Sequence, residues 1–150
     1  MEDAPILADF MTIQGKETED LDLNLEDTMK GVISLLNRPY VGTYFVVFDE
    51  SNPTELMGMM MIHFEMNFAI GGLIYWINSV YVHSNHRQKG VFRKLYDHVT
   101  DMARADPKVK AVRLYVEVTN KRAMTVYSKV GMINIEEGYD FHEVDYCWTD

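Results

Sequence analysis

One cysteine, Cys147, in 150 residues leaves no intramolecular disulfide framework and no multi-cysteine zinc site. No apolar run approaches the roughly 20 residues that a membrane-spanning helix needs. Neither Gly-x-x-x-x-Gly-Lys-Ser/Thr nor Gly-x-Gly-x-x-Gly occurs, so a P-loop and a dinucleotide-binding turn are both excluded. Positive charge is scarce: 14 Lys and Arg stand against 23 Asp and Glu, a net charge of −9. That balance argues against a nucleic-acid partner, since duplex binding needs a broad basic face. The start, Met1-Glu2-Asp3-Ala4-Pro5, is acidic and lacks the basic-then-apolar layout of a secretory signal. A cytoplasmic setting, with no membrane and no nucleic acid among the partners, is the expectation. Internal repeats, linkers and low-complexity tracts are also lacking.

What is present describes a globular chain. Apolar residues make up 47% and charged residues 25%, and the length suits one domain over residues 1–150. Charge is unevenly spread: residues 1–50 hold eleven acids against three bases. An acidic segment beside a reaction centre attracts a cationic amine; solubility is the plainer account of the same residues.

The periodicities give an order of elements. Residues 4–12 read as a short helix, with Asp3 as N-cap and Pro5 in the first turn. Gly15–Asp20 reads as a polar connection carrying Glu17 and Glu19. Leu21–Leu36 is a second helix, with Leu25, Met29, Val32, Ile33 and Leu36 on one face and Asn24 or Asp22 as cap. Three strand-like runs follow, Thr43–Phe48, Met57–Phe64 and Leu73–Val82, joined by turn clusters as in an antiparallel meander. Then come a helix over 91–105, a strand over Val109–Val118, and a helix over Asn120–Val130 closed by Gly131. Two more strands are expected within Met132–Trp148. Together these predict an α/β fold with a mixed, mostly antiparallel sheet and flanking helices.

The most informative stretch is Val80–Leu95. It passes from a β-branched strand end through a polar loop and one glycine, Gly90, into a helix with Val91, Phe92, Leu95, Val99 and Met102 apolar. All the Lys and Arg between residues 51 and 100 lie here, as Arg87, Lys89, Arg93 and Lys94, and no acid occurs between His83 and Tyr96. Unpaired N–H groups and the positive end of a helix dipole favour an anion, so four added cations point to a phosphate cradle.

The segment Arg87-Gln88-Lys89-Gly90-Val91-Phe92 resembles the pyrophosphate loop of the GNAT superfamily of acetyl-coenzyme A-dependent N-acetyltransferases, Arg/Gln-x-x-Gly-x-Gly/Ala. It departs at Phe92, which replaces a small residue and is expected to turn into the core. A second segment is similar to the family's Asn-x-x-Ala-x-x-x-Tyr-x-x-x-Gly-Phe/Met: Asn120, Ala123, Tyr127, Gly131 and Met132. The order of elements also matches, with one gap. The family opens on a short strand, whereas a helix begins here almost at Met1, leaving a sheet edge that a homodimer could cover.

The resemblance implies acetyl-coenzyme A as cosubstrate and a primary amine as acceptor. It places the pantetheine arm beside the backbone of Tyr81 and Val82, where strands 73–82 and 109–118 splay apart. The pyrophosphate falls to Arg87, Gln88, Lys89, Gly90, Val91 and Phe92, with Asn120 facing the same cleft as Tyr127. Tyr127 takes the family's general-acid position; a phenol with a pKa near 10 can protonate a forming thiolate. The base is open. Strand 73–82 offers no acid and has Asn78 where one would be sought. Glu65, at the end of the preceding strand, is the first choice, ahead of Glu117, Glu17 and Glu19. Without a working base the same fold would be a non-catalytic acyl-coenzyme A-binding module.

Other constellations carry less. His83-x-x-His86 lacks further ligands, so no metal is expected, and histidines on a loop ordinarily face solvent. Trp76, Phe64, Phe68 and Tyr75 suit core packing or an acceptor pocket, and the eleven methionines suit core filling.

Overall fold

The computed structural model describes residues 3–52 and 55–135. The chain divides into two compact units, Met1–Tyr115 and Val116–Asp150.

In the first unit, helix α1 (Ala4–Glu19) starts with Pro5 in its first turn, where the missing N–H costs nothing. Asp3 precedes it without a side-chain cap. The helix runs seven residues past the expected end at residue 12, through Gly15. That glycine is a seat rather than a break: a Cβ there would meet the Leu23 side chain at 2.9 Å. The segment after α1 therefore folds back onto it. Glu17 belongs to the last turn of α1, not to a loop. Helix α2 (Leu25–Leu36) is capped by Asn24, whose side chain accepts from the Asp27 N–H at 3.1 Å, with Glu26 and Asp27 in a first turn that favours acids.

Strands β1 (Gly42–Phe48), β2 (Leu56–Asn67) and β3 (Gly72–Val82) form the expected antiparallel meander. Helix α3 (Val91–Ala105) crosses over to β4 (Val109–Leu114), which lies parallel to β3. The sheet order is β1-β2-β3-β4, a mixed sheet. No strand precedes α1 among the described residues, and the outer edge of β1 has no strand partner there.

Alternation divides β2 between two faces. Met59, Met61, His63 and Glu65 look one way, Met60, Ile62 and Phe64 the other. Helices α1 and α2 cover the first face, where Leu7, Ala8, Phe10 and Val32 bury against Met59 and Tyr81. Helix α3 packs on the other face through Val91, Leu95, Val99 and Ala103, an i, i+4, i+8, i+12 stripe. Met59 and Met60 are fully buried, one on each face.

Strand β4 is shorter than expected. Its register with β3 ends at Ile77↔Leu114, although the apolar alternation continues to Val118. At the same point β3 carries an irregularity against β2: Met61 pairs with Ser79 and Ile62 with Ile77, leaving Asn78 as the extra residue. A bulge of this kind bends and twists its strand, and it falls where β4 is lost.

The second unit contains α4 (Lys121–Lys129). Its ends explain two motif positions. Asn120 is the N-cap, accepting from the Ala123 N–H at 3.0 Å. Gly131, at φ 89°, follows the C-cap. The Met132 N–H donates to the Tyr127 carbonyl and the Gly131 N–H to that of Ser128, the paired bonds of a Schellman close. Residues 132–135 form no strand. The rest of the two expected strands, with Cys147, lies outside the described residues.

Candidate active site

The loop after β3 is built to present backbone N–H groups. A single 3-10 turn, Ser84–His86, leads into Arg87 in extended conformation. Gln88 then adopts φ 63° and Gly90 φ 78°. Left-handed residues placed so closely turn successive N–H groups toward one concavity, which suits an anion. Gly90 is the N-cap of α3 and supplies no side-chain cap, and a helix start of this kind favours an anion. A Cβ at Gly90 would meet nothing within 4 Å; the glycine serves the φ value and leaves the concavity open. Lys89 is exposed, with its cation available beside the loop.

Two residues of this region, Phe92 and His86, behave differently from expectation, whereas Val91 takes its place in the apolar stripe. Val91 is buried, and a Cβ at Gly58 would meet its Cγ1 at 2.9 Å, so its side chain fixes α3 to β2. Phe92 does not enter the core: it is half-buried and stacks along the helix on Tyr96, with ring centroids 5.8 Å apart. His86 is not solvent-facing. It is buried, and its Nε2 lies 2.7 Å from Glu55, which fastens the loop from beneath to the segment ahead of β2. His83 is half-buried and its Nδ1 accepts from the Asn85 N–H at 3.4 Å. Among the described residues no group of three or more His, Cys, Asp or Glu is placed to hold a metal.

Arg87 is held from three sides. Its Nε donates to the Val82 carbonyl at 3.0 Å, its guanidinium pairs with Glu17 of α1, and it lies 5.7 Å from the Tyr81 ring centroid. Tyr81 packs edge-to-face on Phe10 at 4.9 Å. Burial, with the Glu17 charge, pushes its phenol up, opposed by Arg87. Tyr81 and Val82 thus leave the backbone as what they can offer. From Asn78 to Val82, β3 has no β4 partner in its register. This is the edge that an extended amide-bearing chain could line, with the Val82 carbonyl already accepting from Arg87.

On the α1/α2 side of the sheet, a cavity of about 400 Å³ opens among Met11, Val32, Leu35, Tyr44, His63 and Asn78, with no carboxylate, Lys or Arg among its lining residues. The Tyr44 hydroxyl donates to the Met11 sulfur at 3.3 Å, and burial raises its pKa. Glu65 lies on the same face but does not line the cavity. Its Oε2 accepts from the Trp76 indole N–H at 2.7 Å and its Oε1 from Asn67 at 3.2 Å. Trp76 is in turn sandwiched by rings, with Tyr115 at 4.8 Å and His63 at 6.3 Å, the latter tilted by only 9°. Tyr75 packs on Phe64 at 4.9 Å, while Phe68 is 95% exposed; none of the four aromatics singled out in the sequence lines the cavity. His63 was not singled out by sequence. The signal was its place in the alternating row Met59, Met61, His63, legible only once the faces are known.

In the second unit, Asn120 spends its side-chain oxygen on the α4 cap. Burial raises the pKa of the Tyr127 phenol. Glu117 accepts from the Thr119 hydroxyl at 3.0 Å.

Comparison with known proteins agrees with this fold. The acetyltransferase (GNAT) family profile matches residues 7–132, and the chain belongs to that family. A crystal structure described as a possible acetyltransferase from Clostridium difficile 630 is 28% identical, with a TM-score of 0.87 over 99% of this chain and 93% of that one. A probable acetyltransferase aligns over 100% of this chain and 95% of its own, at 21% identity and a TM-score of 0.83. Glucosamine-6-phosphate N-acetyltransferase from Arabidopsis thaliana shares the fold at 20% identity, with a TM-score of 0.69 over 97% and 94% of the two chains. No curated protein matches the sequence. No described helix is long and apolar enough to cross a membrane.

Proposed function

We propose that the protein transfers an acetyl group from acetyl-coenzyme A to a primary amine. The observation that carries this reading is the α3 start: an uncapped helix with Gln88 and Gly90 in left-handed conformation, beside a β3 edge that β4 has left. These features fit the two ends of such a donor. Backbone N–H groups from Gln88 to Phe92, with Lys89 and Arg87, hold the pyrophosphate, and the Tyr81–Val82 edge takes the pantetheine amides. Asn120 belongs to the same proposed donor set on the strength of its motif. When bound, the donor supplies a thioester carbonyl open to attack by a neutral amine.

The chain's own residues then move two protons. One must leave the attacking nitrogen, toward a base on the sheet face covered by α1 and α2, for which the sequence points to Glu65. The other must reach the departing sulfur, and Tyr127, a phenol whose pKa burial raises, is the donor proposed on the strength of its motif. The product is an N-acetyl amide and free coenzyme A thiol.

Thiol release across a panel of primary amines tests the reading directly. The expected result is turnover with at least one amine, and a kcat lowered about 10²-fold in Tyr127→Phe with acetyl-coenzyme A affinity unchanged. A second reading, a non-catalytic acyl-coenzyme A-binding module, draws on the lack of any acid from Gly72 to Val82. Tight donor binding with no turnover on any amine would establish it instead.

A further inference from the structure

We propose that the acceptor is a primary monoamine on an apolar body and that His63, not Glu65, takes its proton; this rests on the acetyl-transfer reading above. Position along the sheet separates the two candidates. The donor edge begins at Asn78, where β4 is lost. Glu65 opposes Ile74, four residues further along β3, or about 13 Å at strand rise. His63 opposes Trp76, two residues along, or about 7 Å. His63 and Asn78 both line the cavity, whereas Glu65 does not.

The two groups also differ in what already occupies them. Both Glu65 oxygens accept hydrogen bonds, from Trp76 and Asn67. A neutral imidazole offers one ring nitrogen as an acceptor, and an imidazole facing a cavity can take a proton from an amine and pass it to water. Trp76 lies beside the ring on the neighbouring strand, nearly parallel to it with centroids 6.3 Å apart. The Arg113 guanidinium already lies 5.9 Å from the indole centroid, so what Trp76 gives His63 is orientation, with the indole N–H itself held by Glu65. Glu65 thereby becomes a positioning residue: it holds the indole against which His63 rests.

The lining sets the substrate class. At about 400 Å³ the cavity is near the lower end of small-molecule sites, which run about 300–1,000 Å³. Met11, Val32 and Leu35 supply apolar wall, and no lining residue carries a carboxylate. A second ammonium group inside would be desolvated with no carboxylate to pair with, a heavy cost for a charge. A polyamine is therefore a poor fit and an aryl- or alkyl-bearing monoamine a good one. The acids of residues 1–50 still serve such a substrate, since it arrives as a cation. In the transfer step the amine nitrogen forms the C–N bond and the C–S bond breaks with its electron pair on sulfur. The nitrogen proton passes to His63, and the thiolate takes up a proton from the acid of the acetyl-transfer reading and leaves as free coenzyme A thiol.

The test uses the full chain with acetyl-coenzyme A and two groups of acceptors, phenethylamine, benzylamine and isoamylamine against putrescine, spermidine and lysine. The expected kcat/KM favours the first group by at least about tenfold. His63→Gln should lower kcat about 10²-fold with amine KM and acetyl-coenzyme A Kd within a few-fold of wild type, and Glu65→Gln should lose less. Leu35→Glu places a carboxylate in the cavity and should shift preference toward putrescine, a readout that holds even if His63→Gln fails to fold. Best turnover on spermidine or lysine overturns the substrate class while leaving acetyl transfer standing. Full kcat in folded His63→Gln overturns the base, as does an unchanged preference in Leu35→Glu the cavity. No turnover on any amine by protein that binds acetyl-coenzyme A overturns both this inference and the reading beneath it.

Discussion

Arg87 is the residue at which the two halves of the site compete. An acid from α1, Glu17, pairs with the guanidinium that the sequence assigns to phosphate. Both side chains are partly exposed, 32% and 42%, so the pair contributes at most about 1 kcal/mol. Glu17→Gln is therefore expected to leave stability nearly unchanged and to tighten acetyl-coenzyme A binding a few-fold at low salt, because Arg87 no longer shares its charge. Weaker binding in that variant would mean that Glu17 orients Arg87 rather than competing for it. The residue types of the cradle were legible in sequence because a run of Arg87, Lys89, Arg93 and Lys94 without acids is local. The partner of Arg87 was not, since Glu17 is seventy residues away and reaches it only because α1 continues through Gly15.

At the scale of elements, α2 carries a testable consequence. Gly31 sits within this helix and lines the cavity, and a Cβ there would meet nothing within 4 Å. Glycine in a helix interior costs about 1 kcal/mol against a good helix former. Gly31→Leu should accordingly raise the melting temperature by about 3 °C while filling the cavity and raising the KM for the amine about tenfold. A stabilised variant with unchanged KM would place the acceptor elsewhere. Element boundaries were readable where caps or prolines mark them: α3 runs from Val91 to Ala105, as its stripe requires, and Asn24 caps α2. They failed where tertiary structure decides. Gly15 looks like a stop until Leu23 is seen against it, and β4 looks longer than six residues until the bulge at Asn78 removes its partner. The place of His63 went unread for the same reason, since the face that it shares with the cavity is set by the helices covering it.

For the whole molecule, the family was accessible from order and motif, while the cavity depended on three dimensions. The cavity draws on α1, α2 and three strands, so no contiguous run of residues encodes it. A donor that binds only the folded chain should stabilise it by mass action, about 2.7 kcal/mol at a hundredfold excess over Kd, which melting in rising acetyl-coenzyme A would show. The central claim is that the open concavity before α3 holds the donor's pyrophosphate, and calorimetric titration of wild type and Gly90→Asp with acetyl-coenzyme A tests it most directly. Aspartate at φ 78° costs about 1–2 kcal/mol of backbone strain and puts a negative charge at the helix start. The account predicts saturable binding by wild type and none by a Gly90→Asp variant that still melts cooperatively. Equal binding by both proteins, or none by folded wild type, would contradict it.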